Sequence, residues 1–149
     1  PTLFWVKNTG KPSSNKMNIK TIKKTGLNPI SITNLRLLRR IVRDKKFRNS
    51  SALRTINMWQ SVRRGEFRWI YPGQEQADYV FNSGLQYELC VMKKYALPTL
   101  LEVPDDSEHY ITANRLIKFI KYFVDIDDSF VPCNSLLREF IGGSCFTEE

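Results

Sequence analysis

Four arginines fall within eight residues, at positions 36, 39, 40 and 43, and Arg48 follows closely. A guanidinium is a planar fork of N–H donors that matches phosphate oxygens and keeps its charge at physiological pH. On a helix, Arg36, Arg40 and Arg43 stand at i, i+4 and i+7 and share one face. Three like charges so placed repel one another unless an anion sits among them or water screens them. The face therefore reads as a polyphosphate clamp, a nucleic-acid contact or a solvated surface.

A second cationic knot, Arg63-Arg64-Gly65, precedes Phe67, Trp69 and Tyr71. Basic residues interleaved with aromatic rings can hold single-stranded nucleic acid by stacking. The favoured reading is structural, a hinge or loop whose aromatics pack into the core.

No catalytic set assembles from the remaining residues. A phosphate-binding P-loop needs Gly, four residues, then Gly-Lys-Ser/Thr, so that backbone amides wrap the phosphates at a helix start. The pair Gly10-Lys11 is followed by Pro12, and no glycine stands five residues before Gly10. The lone histidine, His109, lies in an acidic loop-to-helix junction and reads as a solvated or capping residue. Asp105 and Asp106, and Asp125, Asp127 and Asp128, read as capping or loop acids rather than cation ligands. The segment from Gly142 to Cys145 lacks the GxSxG order of a nucleophile elbow. Cys90, Cys133 and Cys145 cannot all pair, and none stands in a CxxC, so free thiols and no metal site are expected. By itself the chain is not expected to be an enzyme.

Presenting the arginines requires a helix. The spacing predicts one from a cap at Thr33 or Asn34 to about residue 49, with Leu35, Leu38 and Val42 as its apolar stripe. Ser50 or Ser51 caps a second helix, closed by Gly65, on which Leu53, Ile56 and Trp59 or Gln60 fit a partly buried face, making a helical hairpin. A short strand is expected over residues 78–82, after the turn at Pro72-Gly73. Helical periodicity resumes over 85–95 and is broken by Pro98. A long helix runs from a Ser107 cap to about residue 124, with Leu116, Ile117, Phe119, Ile120 and Phe123 inward, and a last turn covers 135–141. Residues 7–25 are basic and turn-rich, with at most a short strand around 17–22. Thus 1–26 reads as a basic linker or remnant of something upstream, and 27–149 as one helical region.

Composition bounds the class. With 149 residues, 42% hydrophobic and 26% charged, the chain suits one globular domain. No apolar run approaches the roughly 20 residues that span a bilayer, and the apolar start is too short for a signal peptide. A soluble cytoplasmic protein with no membrane partner is the expectation. Residues 1–71 carry 17 Lys/Arg against 2 Asp/Glu, whereas 72–149 carry 6 against 13. A basic half beside an acidic half points to a phosphate-bearing partner.

The run RLLRRIVRD at 36–44 resembles the lid-helix motif of the phosphoribulokinase/uridine kinase family. The likeness continues, in order, through SVRRGE (61–66), IYP (70–72), QEQAD (74–78), FNS (81–83), YEL (87–89) and LLREFIGGSCF (136–146). These later segments are most similar to the longer bacterial nucleoside kinases that carry threonyl-tRNA synthetase-like N-terminal domains. The resemblance implies the C-terminal portion of an α/β P-loop kinase, itself mainly α-helical, with a lid hairpin, one sheet strand and C-terminal helices. It implies ATP with Mg as cofactor, bound through the rest of the kinase. Arg40, Arg43 and Arg48 would grip its phosphates, with Arg36 and Arg39 in supporting roles, during transfer to a uridine- or cytidine-type 5′-hydroxyl. The strand around 77–82 would be the last of the parallel kinase sheet.

Three departures stand out. Ser50 replaces an arginine that often faces the nucleoside, Asn34 replaces the usual acid before the lid helix, and the stretch at 28–30 is shortened. The P-loop and catalytic aspartate are absent, so the chain reads as a fragment, or less simply a degenerate form, inactive alone. Its partners on this reading are nucleotide phosphates and an N-terminal kinase core, with a homo-oligomer through the C-terminal helices as a further option. The alternative is a non-catalytic module for RNA or another polyanion, or a regulatory piece.

Overall fold

In the computed structural model of the chain, Trp5, Val6 and residues 31–146 are described. The strand expected near 17–22 and the shortened stretch at 28–30 lie outside the described residues. The expected hairpin is present. Helix α1, Ile32–Arg48, starts earlier than its spacing predicts, because the Leu35 amide bonds to the Ser31 carbonyl at 3.1 Å. Thr33 and Asn34 thus belong to its first turn, and Ser31 takes the cap position. The helix ends at Asn49, which adopts the left-handed conformation (φ 47°) that asparagine tolerates better than most residues. The Asn49 amide and the Ser50 amide both bond to the Asp44 carbonyl. Ser51 then caps α2, Ala52–Gly65, its hydroxyl accepting from the Arg54 amide at 3.3 Å.

Gly65 does not stop the chain from coiling. A π-helical turn, Glu66–Ile70, and a 3₁₀ turn, Tyr71–Gln76, continue from it. The cause is Glu66, whose buried carboxylate is held between Arg36 and Arg63 and draws the turn inward. The strand expected over 78–82 contracts to β2, Tyr79–Val80. It pairs antiparallel with β1, Trp5–Val6, rather than joining a parallel sheet, with Trp5 opposite Val80. Asn82 ends the extended run by accepting the Gly84 amide at 3.0 Å.

Helix α3, Glu88–Leu101, runs straight through Pro98 instead of breaking there. Proline removes one helical N–H and crowds the carbonyl four residues back. The cost is met by burial, since Ala96, Thr99 and Leu100 on the same turn are all inside. Thr99 also donates its hydroxyl to the Tyr95 carbonyl at 3.0 Å. Helix α4, Tyr110–Ile120, is shorter than the expected 107–124. Ser107 holds a preliminary turn, accepting the His109 amide on its hydroxyl and the Tyr110 amide on its carbonyl, and His109 becomes the cap position. After Ile120 the amides of Tyr122 and Phe123 bond three residues back, tightening the chain into turns. The last helix, α5, is Arg138–Ile141.

The core is built around α1, which packs against α2, α3 and α5, while α4 closes over α3. Leu37, Leu38, Ile41 and Val42 of α1 meet Leu89, Met92, Ala96 and Leu100 of α3, and Phe140 and Ile141 of α5. Leu116, Ile117 and Ile120 of α4 complete it, with Phe119 and Phe123 half-buried at its edge. The apolar stripes legible in the sequence are thus the faces that pack. No helix among the described residues is long and apolar enough to cross a membrane.

Candidate functional site

The five arginines of α1 separate into three groups. Arg39 points inward, 2% exposed, and pairs with the equally buried Glu88 at 2.5 Å. Its remaining donors reach the Ser83 carbonyl at 2.7 Å and hydroxyl at 3.2 Å, and its guanidinium lies 5.2 Å from the centre of the Phe140 ring. Every side of that charge is occupied by the protein.

Arg36 grips the Glu66 carboxylate with both terminal nitrogens, and Arg63 holds the same carboxylate at 2.7 Å. The Tyr71 hydroxyl accepts from Arg63 at 2.9 Å and lies 3.4 Å from Arg36. Burial pulls the Arg36 pKa below its ordinary value, as does the neighbouring Arg63, while Tyr71 pulls it back up. Arg36 and Arg39 therefore tie α1 to distant segments.

Arg40, Arg43 and Arg48 form the third group, and all three converge on one half-turn around Asp44. Arg40 Nε lies 3.3 Å from Asp44 Oδ2, and Arg43 Nε 3.7 Å and Arg48 Nη1 3.2 Å from Oδ1. Thr55 of α2 adds its hydroxyl to the same carboxylate at 3.4 Å. Asp44 is nearly fully buried, whereas Arg48 is 59% exposed and Arg40 and Arg43 are partly so. One carboxylate against three guanidiniums leaves a net charge of two in excess. The Nε–H donors of Arg40 and Arg43 are buried yet complete no hydrogen bond, because their approach to Asp44 is close but not aligned. Donors left in that state are the feature that an anion with several oxygens relieves.

Several of the segments quoted from the sequence meet on α1. Arg36 joins SVRRGE and IYP through Glu66 and Tyr71, and Arg39 joins FNS, YEL and the C-terminal run through Ser83, Glu88 and Phe140. Sequence reasoning picked the arginines from their face but missed Asp44, Glu66 and Glu88, the acids that sort them. For Asp44 and Glu66 the signal was available: they are the two acids of the first 71 residues, and each stands within two residues of an arginine.

The aromatic run corrects an expectation. Phe67 and Trp69 are 61% and 74% exposed and do not pack into the core. The π turn rotates them outward, where Arg63 sits 4.8 Å from the Phe67 ring centre and Arg68 4.8 Å from that of Trp69. Phe67 meets the half-buried Tyr71 edge to face at 5.1 Å. Elsewhere, an open cavity of about 360 Å³ lies between the starts of α2 and α4, bordered by Arg54, Asn57 and His109. His109 Nε2 lies 3.1 Å from the Glu108 carboxylate.

Several acids of the second half hold local structure. Asp127 caps a 3₁₀ turn, Asp128–Phe130, by accepting the Ser129 amide, and Asp125 pairs with Lys93 at 3.1 Å. Asp128 accepts from the Tyr95 hydroxyl and, at 2.9 Å, from Lys94. Those two bonds, Tyr95 foremost, hold its carboxyl well below the usual carboxylate range. No group of three or more His, Cys, Asp or Glu among the described residues is placed to hold a metal ion. No protein-family model, curated protein or solved structure matches the chain.

Proposed function

We propose that the chain is the lid and C-terminal portion of an ATP-dependent nucleoside kinase of the uridine/cytidine type. In this reading the α1–α2 hairpin brings Arg40, Arg43 and Arg48 to the ATP phosphates. The supporting observation is the cluster on Asp44, with two charges uncompensated and two guanidinium Nε–H groups without hydrogen bonds. Phosphoryl transfer spreads negative charge over the moving group, and fixed cations in a partly dry site stabilise it without reorganising. Asp44 would keep the three forks pointed to one place. Mg would arrive with the nucleotide, and the P-loop and general base would come from a kinase core, so the 149 residues alone would bind ATP weakly and not turn it over.

The test is calorimetric titration of the 149-residue chain with Mg-ATP at low and high salt. Arg40→Ala and Arg43→Ala should each weaken binding about tenfold, the worth of one charged hydrogen-bonding contact, with circular dichroism unchanged. Equal binding by parent and variants would sink this reading.

A second reading has its own observation, the exposed Phe67 and Trp69 rings flanked by Arg63 and Arg68. Such a surface suits base stacking by single-stranded RNA. It predicts steeply salt-dependent binding of an oligoribonucleotide, lost in Trp69→Ala and indifferent to Arg40.

A further inference from the structure

The three cysteines carry no pairing signal in their spacing, yet the fold brings two of them together. The Cys145 amide donates to the Cys133 carbonyl at 3.0 Å, so the residues face each other across a closed turn. One such backbone bond holds the two residues side by side. A disulfide needs Cα atoms roughly 4.4–6.8 Å apart. The side chains are neighbours as well, since Cys133 is among the groups that raise the Cys145 thiol. Both residues are exposed and free.

The juxtaposition is built by neighbouring residues. Arg138 donates to the Val131 carbonyl at 2.6 Å and the Asp128 carbonyl at 2.7 Å on one side, and to the Gly142 carbonyl at 3.3 Å on the other. Gly142 and Gly143, with φ of 88° and 76°, then turn the chain back towards Cys133. A side chain at either glycine would be strained, and a Cβ at Gly143 would come within 3.3 Å of Arg138.

We propose that Cys133 and Cys145 form a redox-modification site that a peroxide converts into an intramolecular disulfide. The Cys133 sulfur, as thiolate, attacks a peroxide oxygen. The O–O bond breaks, and hydroxide leaves and takes up a proton, leaving a sulfenic acid. The Cys145 sulfur then attacks that sulfur, the S–S bond forms, and the S–O bond breaks. The departing oxygen leaves as water, taking up the Cys145 proton. Across both steps the thiols lose two electrons and the peroxide becomes two waters. Desolvation and then the neighbouring Cys133 raise the Cys145 thiol, which suits Cys145 to the second, resolving role. The ring so closed contains α5, whose Phe140 lies beside Arg39. Oxidation would therefore close the segment that carries α5 into a covalent ring.

Treating the full chain with stoichiometric hydrogen peroxide should lower its free thiols from three to one. Non-reducing peptide mapping should link Cys133 to Cys145 within one monomer, and a dithiol should reverse it. The oxidised protein should melt about 5 °C higher, as a cross-link over a short loop does. Cys133→Ser and Cys145→Ser should each abolish the link, and Cys90→Ser should not. Three surviving thiols, a dimer joined between chains, a link to Cys90, or sulfinic acid without a cross-link would each overturn the proposal.

Discussion

The guanidinium of Arg39 and the carboxylate of Glu88 lie 2.5 Å apart, each about 2% exposed, and join α1 to the first turn of α3. Glu88 also accepts the Leu85 amide at 3.1 Å, so the acid closes its own helix entry while neutralising a charge from another helix.

Breaking such a pair from one side leaves a bare buried charge, whereas removing both partners does not. Glu88→Ala is expected to cost about 3–5 kcal/mol in urea unfolding. Arg39→Met combined with Glu88→Leu should cost clearly less than the two single changes together. Strict additivity would show that the two side chains do not act as a pair.

Asp44→Asn keeps the side-chain shape but removes the shared counter-charge of Arg40, Arg43 and Arg48. A loss of about 1–3 kcal/mol is expected, since charged hydrogen bonds are given up and exposure of Arg48 tempers the effect. Inorganic tripolyphosphate should then raise the melting temperature of the variant more than that of the parent. Equal shifts would mean that the arginines do not share an anion site.

Asp128 gives a pH dependence with a definite sign. Its folded pKa is depressed, chiefly by the Tyr95 hydroxyl and then by Lys94. Its contribution is present above the unfolded carboxylate value, about 3.9, and is lost as pH falls below that towards the folded value. Thermal stability should therefore fall between about pH 5 and pH 2, and Asp128→Asn should flatten that fall. An identical acid limb in parent and variant would contradict the assignment.

Pro98 sits inside α3 with its ring exposed. Pro98→Ala restores a helical N–H for the Lys94 carbonyl and should stabilise the chain by about 1 kcal/mol or more. The gain is below the roughly 3 kcal/mol of an unrelieved interior proline because the unfolded chain regains freedom. Unchanged or reduced stability would show that α3 has already adapted to the ring.

The packing faces were legible because burial follows helical periodicity. Leu38 and Val42 of α1, Leu89 and Met92 of α3, and Leu116 and Ile120 of α4 all lie where their spacing puts them. Boundaries were less so, because tertiary contacts move them. Glu66 draws the chain past Gly65, and buried Leu100 carries α3 through Pro98. The arginine face was visible, but not its division into Arg36, Arg39 and the group around Asp44. That division depends on Glu66 and Glu88, which lie 30 and 49 residues away from their partners. Phe67 and Trp69 were misread because local composition does not say which way a π turn rotates its side chains.

The crowding at Asp44 has a mechanical meaning. With three guanidiniums and Thr55 around one carboxylate, any single arginine can swing away while the others keep the acid covered. A joint of this kind would let the end of α1 re-aim one cation at a time without exposing a naked charge.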